Sequence, residues 1–192
     1  MTYQRFIVSQ SIVIMASSIV FPFYILLLRN AGDSYSQFGW AYGMFALSAA
    51  FFYPVIGRFS DRIGDQLLLI VYSWAMTLLL LLFPLVTEVW QVYLLQILMG
   101  LLGAVQKNTE KTSLVRHAEN KQVGKEIGKY HSWTGIGGAI AIILTGYLAD
   151  FLTIGSIFYI ASLMYMASGL VLMKKTKLSK KAIGDMNKVS TK

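Results

Sequence analysis

The chain has 192 residues, of which 56% are hydrophobic and only 14% are charged, whereas about 25% are charged in an ordinary globular protein. This composition excludes a water-soluble domain, and the absence of cysteine excludes a disulfide scaffold, a thiolate metal site and a cysteine nucleophile. The net charge of +8 could fit nucleic acid, but no basic patch interleaved with aromatics and no zinc-ligand spacing accompanies it, so no nucleic-acid partner is expected.

Six apolar segments are each long enough to cross about 30 Å of hydrocarbon as a helix, which takes roughly 20 residues. None of them shows the period-two alternation of a barrel strand. The first lacks the small-residue cleavage site of a signal peptide and is predicted to be retained. The sequence therefore predicts an all-α transmembrane domain over residues 1–173 and a basic, disordered cytoplasmic tail over residues 174–192. The predicted spans are about 6–28, 38–56, 67–86, 89–105, 130–149 and 154–173.

The basic residues set the expected orientation in the membrane. Six spans place both termini and the loops after helices 2 and 4 on one face, and of the 17 lysines and arginines only Arg29 lies on the other. The positive-inside rule then predicts a multi-pass protein of the cell (plasma) membrane with both termini cytoplasmic and in contact with anionic lipid. Helices 4 and 5 are expected to extend into the cytosol, with a turn over residues 118–122.

Helices 2 and 5 share a pattern of small residues. A shift of 89 residues lays one on the other, and both end in Gly-x-x-Ser/Ala-Asp, at Asp61 and Asp150. Because an odd number of helices separates the copies, the pattern predicts a 3+3 inverted repeat, as in many secondary transporters. The alternative is that two glycine-rich membrane helices align through composition alone.

The segment Gly57-Arg58-Phe59-Ser60-Asp61-Arg62-Ile63-Gly64 resembles the signature loop of the major facilitator superfamily, which lies between helices 2 and 3 on the cytoplasmic side. Val20-Phe21-Pro22 and the end of helix 5 are similar to the amino-terminal half of that family. The resemblance implies one six-helix half of a major facilitator fold. It also implies a gating latch at the loop, and the alternative is a simple solvated turn. Glycine at the two ends of the motif would permit close approach and a positive φ. Asp61 would accept hydrogen bonds from a helix N-terminus, and Arg62 would donate to carbonyls at a helix C-terminus. The implied latch residues are Gly57, Asp61, Arg62 and Gly64.

Three features depart from the family. Asp65 and Gln66 stand where arginine or lysine is usual, and Gln96 stands where the drug–proton antiporters have the arginine of Arg-x-x-Gln-Gly. In helix 5, Ala141-Ile142 and Thr145-Gly146 replace the Gly-Pro and Gly-Gly pairs of those antiporters. All nine acidic residues are predicted in loops, helix ends or the tail, although proton relays need an ionisable group within the membrane. Proton-coupled antiport is therefore not expected. No catalytic or cofactor motif is present, so neither an enzyme nor a cofactor or metal site is predicted.

In the family, helices 1 and 4 line the central cavity. Gln10, Ser17 and Tyr24 recur every seven residues in helix 1, which keeps them on one face because the drift is only about 20° per step. An alternative is that such side chains bond to their own backbone. The candidate cavity-lining residues are Gln10, Ser17, Phe21, Tyr24, Gln96, Gly100 and Asn108.

Stripes of small residues on helices 2 and 5 allow close helix contact in lipid. In the family these helices join the two halves, so the chain is expected to pair with a second copy or a complementary six-helix half. The predicted function is a half-size transporter of a small neutral or amphipathic organic solute, acting as a parallel homodimer. Two alternatives are an amino-terminal half that is inactive alone and a non-transporting membrane interaction protein. The candidate interface residues are Gly39, Gly43, Ala46, Ala50, Gly128, Gly135, Ala139 and Gly146.

Overall fold

Six long helices form the computed structural model, which describes residues 1–31, 34–117 and 123–174, with the backbone alone at residues 26–31. Each helix is long and apolar enough to cross a membrane, so the predicted all-α, six-helix architecture is confirmed. The predicted turn at 118–122 and the tail from residue 175 onward lie outside the described residues. The helices are α1 (Tyr3–Ala31), α2 (Tyr35–Ile63), α3 (Asp65–Leu82), α4 (Val89–His117), α5 (Val123–Ala149) and α6 (Ile154–Met173), with one 3₁₀ turn at Phe83–Leu85.

The connection between α2 and α3 is much shorter than the sequence suggested. Most of the predicted signature loop is helical, because α2 continues to Ile63 and α3 begins at Asp65. Gly64 alone makes the turn, with φ of +88° and its N–H donating to the Ser60 carbonyl at 3.1 Å. A side chain would be strained at this φ, which explains the glycine. Gly57 lies inside the helix and needs neither a positive φ nor a close approach, which corrects that part of the prediction.

The helices pack in the order α5, α1, α6, α3, α4, α2, each mainly against the next. This order places α2 and α5 at its two ends. Within the most apolar window of each helix, only 17% of α2 residues and 22% of α5 residues are buried, against 44–50% for the other four. The two helices with small-residue stripes are therefore the two that this chain covers least.

Polar contacts and close approaches hold the central helices together, as expected where lipid removes most of the hydrophobic driving force between helices. The Ser168 hydroxyl of α6 lies 2.7 Å from that of Ser9 on α1 and 3.3 Å from that of Ser73 on α3. At Gly100, α4 crosses α2 so closely that a Cβ would overlap the Phe45 carbonyl oxygen. The serine contacts join α1, α3 and α6, and the crossing at Gly100 holds α4 against α2. A hollow remains between α4 and α1.

Candidate functional site

A cavity of about 290 Å³ lies between α1, α2 and α4. Phe21 and Tyr42 on its wall are about half exposed, and Ser17 is also exposed, so the described part of the chain does not enclose it. Four predicted lining residues contribute to its wall, namely Ser17, Phe21, Tyr24 and Gln96. The remaining wall residues are Val20, Tyr42, Phe45, Met76, Met99, Lys107 and Tyr165.

The other three predicted lining residues are not among the described wall residues. Gln10 is fully buried inside the bundle and accepts a hydrogen bond from the Gln106 amide at 3.1 Å. Gly100 is buried against the backbone of α2, because the close crossing there requires a residue without a side chain. The Asn108 amide nitrogen is buried and has no hydrogen-bond partner within the described residues. Gln10 and Gly100 are therefore engaged in packing between helices, and the assignment of Asn108 to the cavity stays a prediction.

Lys107 is a wall residue that the sequence analysis grouped with the cytoplasmic basic residues. It follows Gln96 by eleven residues, which is a rotation of only about 20° at 3.6 residues per turn. The two side chains therefore share the cavity face of α4. Lys107 is exposed and forms no ion pair or hydrogen bond within the described chain. The described wall therefore carries one positive charge. The lining residues predicted from the sequence were all uncharged.

A cluster of charged and hydroxyl groups joins the α2–α3 turn to the end of α4. Asp65 is buried, and its carboxylate accepts hydrogen bonds from the Ser113 hydroxyl at 2.9 Å and the Thr112 hydroxyl at 3.1 Å. The Arg116 guanidinium donates to Asp65 and to Asp61, in both cases at 3.1 Å. Four donors, including Ser60 at 3.3 Å, thus compensate the cost of burying the Asp65 charge.

The cluster differs from what the signature motif suggested. Asp65 is its centre, although the sequence analysis treated it only as a departure from the family pattern. Asp61 is mostly exposed and binds Arg116, where a helix N-terminus was expected as its donor. Arg62 is exposed and makes no hydrogen bond within the described residues, where a bond to carbonyls at a helix C-terminus was expected. The role of this cluster as a latch stays a prediction.

A second polar network, inside the bundle, joins α1, α4 and α5. Glu110 accepts hydrogen bonds from the Tyr130 hydroxyl and, at 2.9 Å, from the Gln106 amide, which also donates to Gln10. From the sequence, Glu110 is expected in a loop or at a helix end, because α4 is predicted to leave the membrane near residue 105. In the structure Glu110 lies two turns inside α4 and is half-buried. It is therefore a carboxylate with three helices around it.

The small residues of α2 and α5 face away from the bundle. A Cβ placed on any glycine of the predicted interface would meet no atom within 4 Å in the described chain. Ala46, Ala50 and Ala139 are likewise exposed. In contrast to Gly100, these residues are not covered by other helices within the part of the chain that the structure describes. The glycines concerned are Gly39, Gly43, Gly128, Gly135 and Gly146.

Six membrane-length helices beside a lateral cavity are typical of a membrane transporter, and comparison with known proteins agrees with this class. The profile of the Major Facilitator Superfamily matches residues 6–189. The chain therefore belongs to the Major Facilitator Superfamily. This confirms the family that the signature motif indicated.

The relatives are of two lengths. An uncharacterized MFS-type transporter of Bacillus subtilis, YitZ, is 49% identical over 159 residues, which cover 83% of this chain and 97% of that protein. The multidrug resistance protein MdtG of Dickeya zeae is 27% identical over 154 residues, covering 78% of this chain but 38% of that protein. The class B tetracycline resistance protein of Escherichia coli is 28% identical over 165 residues, covering 83% and 40%. The chain thus spans well under half the length of the resistance proteins.

Proposed function

We propose that the protein is a half-size transporter that exports a small neutral or amphipathic organic solute by alternating access, as a parallel homodimer in the plasma membrane. The proposal depends mainly on two observations together: the cavity is not enclosed by the described residues, and the small-residue faces of α2 and α5 are uncovered. The match to almost the whole of YitZ supports a functional unit of this length. The names of the longer relatives support export of a drug-like solute.

A two-fold axis along the membrane normal would complete the cavity. In the superfamily the two halves are related by such an axis and hold substrate between them. Two copies of this chain can repeat that arrangement if α2 of one copy packs on α5 of the other. In lipid there is no hydrophobic driving force between helices, so helices associate largely through van der Waals packing. Small residues favour this packing because they let the two backbones approach closely. Both copies then keep their basic sides in the cytoplasm, as the positive-inside rule requires.

The packing order supports the proposed 3+3 inverted repeat. Exchanging α1 with α4, α2 with α5 and α3 with α6 turns the order α5, α1, α6, α3, α4, α2 into its own reverse. Each half of the chain therefore contributes one cavity helix, one end helix and one central helix. Repeats of this kind allow alternating access, because one repeat can rock against the other around a fixed site.

Cross-linking between chains tests the dimer. Two tagged versions of the chain, one carrying Ala46→Cys and the other Ala139→Cys, are co-expressed and oxidised in membranes. The chain has no native cysteine, and both positions are exposed at a similar distance from the outer ends of α2 and α5. We expect a disulfide between the two tags. The matched pair Ala41→Cys and Ala141→Cys, buried in the same helices, should give none.

Proteoliposomes test transport. Uptake of tritiated tetracycline, 1-naphthaleneacetate and 2-(1-naphthyl)ethanol is compared between liposomes with and without the purified chain. We expect saturable flux of at least one probe, reduced in Asp61→Asn while the folded helix content is retained. A cross-linked dimer without flux of any probe would favour a non-transporting interaction protein. A monomer by native mass spectrometry, with neither cross-link nor flux, would favour an incomplete half.

A further inference from the structure

Lys107 is the one charged residue among the described wall residues of the cavity, and no contact described so far accounts for its position there. Lys107 lies 18 residues after the start of α4, which is about 27 Å along the helix. If α4 enters the hydrocarbon at Val89, this position is still within its thickness of about 30 Å. A lysine within a spanning helix is costly and generally serves function. The nearest acid along the helix, Glu110, already binds Tyr130 and Gln106. Lys107 has no anionic partner within the described residues.

The cavity is amphipathic along its length. Lys107 lies at the cytoplasmic end and Gln96 toward the outer end, eleven residues or about 16 Å apart along α4. Between them the wall is formed by Phe21, Phe45 and other aromatic or apolar side chains. No carboxylate is among the described wall residues. A cationic solute would therefore meet repulsion at the inner end, whereas an anion would find a counter-charge there.

We propose that the solute of this cavity is an amphipathic organic anion, with an acidic group bound by Lys107 and an aromatic or apolar body along Phe21 and Phe45. This inference rests on the proposed function and narrows its substrate class. The ammonium group supplies a charge-assisted hydrogen bond to a carboxylate or sulfonate, which is stronger than a neutral one. The aromatic wall binds the apolar body without requiring further polar partners, so the charge decides between solutes of similar shape.

Binding of two matched probes tests the proposal. The full-length protein is placed in lipid nanodiscs, without any gradient, and binding of tritiated 1-naphthaleneacetate and 2-(1-naphthyl)ethanol is measured by scintillation proximity. We expect the anion to bind about tenfold more tightly than the alcohol, as a charged hydrogen bond typically provides. Lys107→Gln should remove this preference by weakening anion binding and leaving alcohol binding unchanged. Lys107→Arg should retain the preference.

Lys111→Gln is the control, because Lys111 is exposed on the same helix but lies outside the described cavity wall. It should bind both probes as the original protein does. Equal affinity for the two probes, equal effects of Lys107→Gln and Lys111→Gln, or no binding of either probe would overturn the proposal. Charge-selective binding without flux would leave it standing and refute transport alone. Flux of 1-naphthaleneacetate that Lys107→Gln does not alter would refute the anion proposal and leave transport standing.

Discussion

The Asp65–Arg116 ion pair should contribute much more to stability than the Asp61–Arg116 pair. Both carboxylates lie 3.1 Å from the same guanidinium, but the side chain of Asp65 is 8% exposed and that of Asp61 is 75% exposed. Breaking a fully buried pair costs about 3–5 kcal/mol. Because Arg116 is 48% exposed, we expect a coupling energy of about 2 kcal/mol for Asp65. An exposed pair such as Asp61–Arg116 should contribute less than about 1 kcal/mol.

Two double-mutant cycles measure these coupling energies. One combines Asp65→Asn with Arg116→Gln, and the other combines Asp61→Asn with Arg116→Gln. The free energy of unfolding is obtained by titrating micelles with SDS while tryptophan fluorescence is recorded. Both cycles share the arginine variant, so only the environment of the carboxylate differs between them. Equal coupling energies, or a larger one for Asp61, would refute the argument that burial makes Asp65 the centre of the cluster.

The remaining predictions use the same unfolding titration. Gly100→Ala should lower the free energy of unfolding by about 1–3 kcal/mol, because the added Cβ overlaps the backbone of α2. Gly124→Ala, where a Cβ meets nothing within 4 Å, should change it by less than about 0.5 kcal/mol, and an equal loss in both variants would contradict the close crossing. Tyr130→Phe should cost about 1–3 kcal/mol because Glu110 loses a donor. The exposed control Tyr147→Phe should be neutral, and a neutral Tyr130→Phe would show that the network adds no stability.

The fold was predictable because its main determinants are local. The length and apolarity of each span identify a membrane helix, and the asymmetry of lysine and arginine indicates the expected orientation. The end of α2 was less predictable. Glycine and charged residues from Gly57 to Gly64 read as a loop, yet after Pro54 no proline interrupts that stretch and the backbone stays helical until Gly64.

The site was only partly predictable because its residues meet through contacts between distant helices. The seven-residue repeat in helix 1 placed Ser17 on a face that lines the cavity. Lys107 follows Gln96 by eleven residues, a spacing that a seven-residue repeat does not include, so the lysine was not assigned to the cavity. No pattern within α3 or α4 indicated that Asp65 would meet Arg116, 51 residues away. Such a pairing follows from the crossing of the helices, and periodicity within a single helix does not encode it.

Building a transporter from two identical halves constrains its substrate site. In the proposed dimer the two-fold axis duplicates every wall residue, so the chamber carries two Lys107 ammonium groups at its cytoplasmic end and two Gln96 amides further out. An asymmetric solute then meets the same site in two equivalent orientations, whereas a transporter with two different halves can specialise each wall. Two unpaired ammonium groups facing one chamber also repel each other. An anionic solute relieves that repulsion. The two-fold symmetry therefore increases the preference for an anion beyond that expected from a single Lys107.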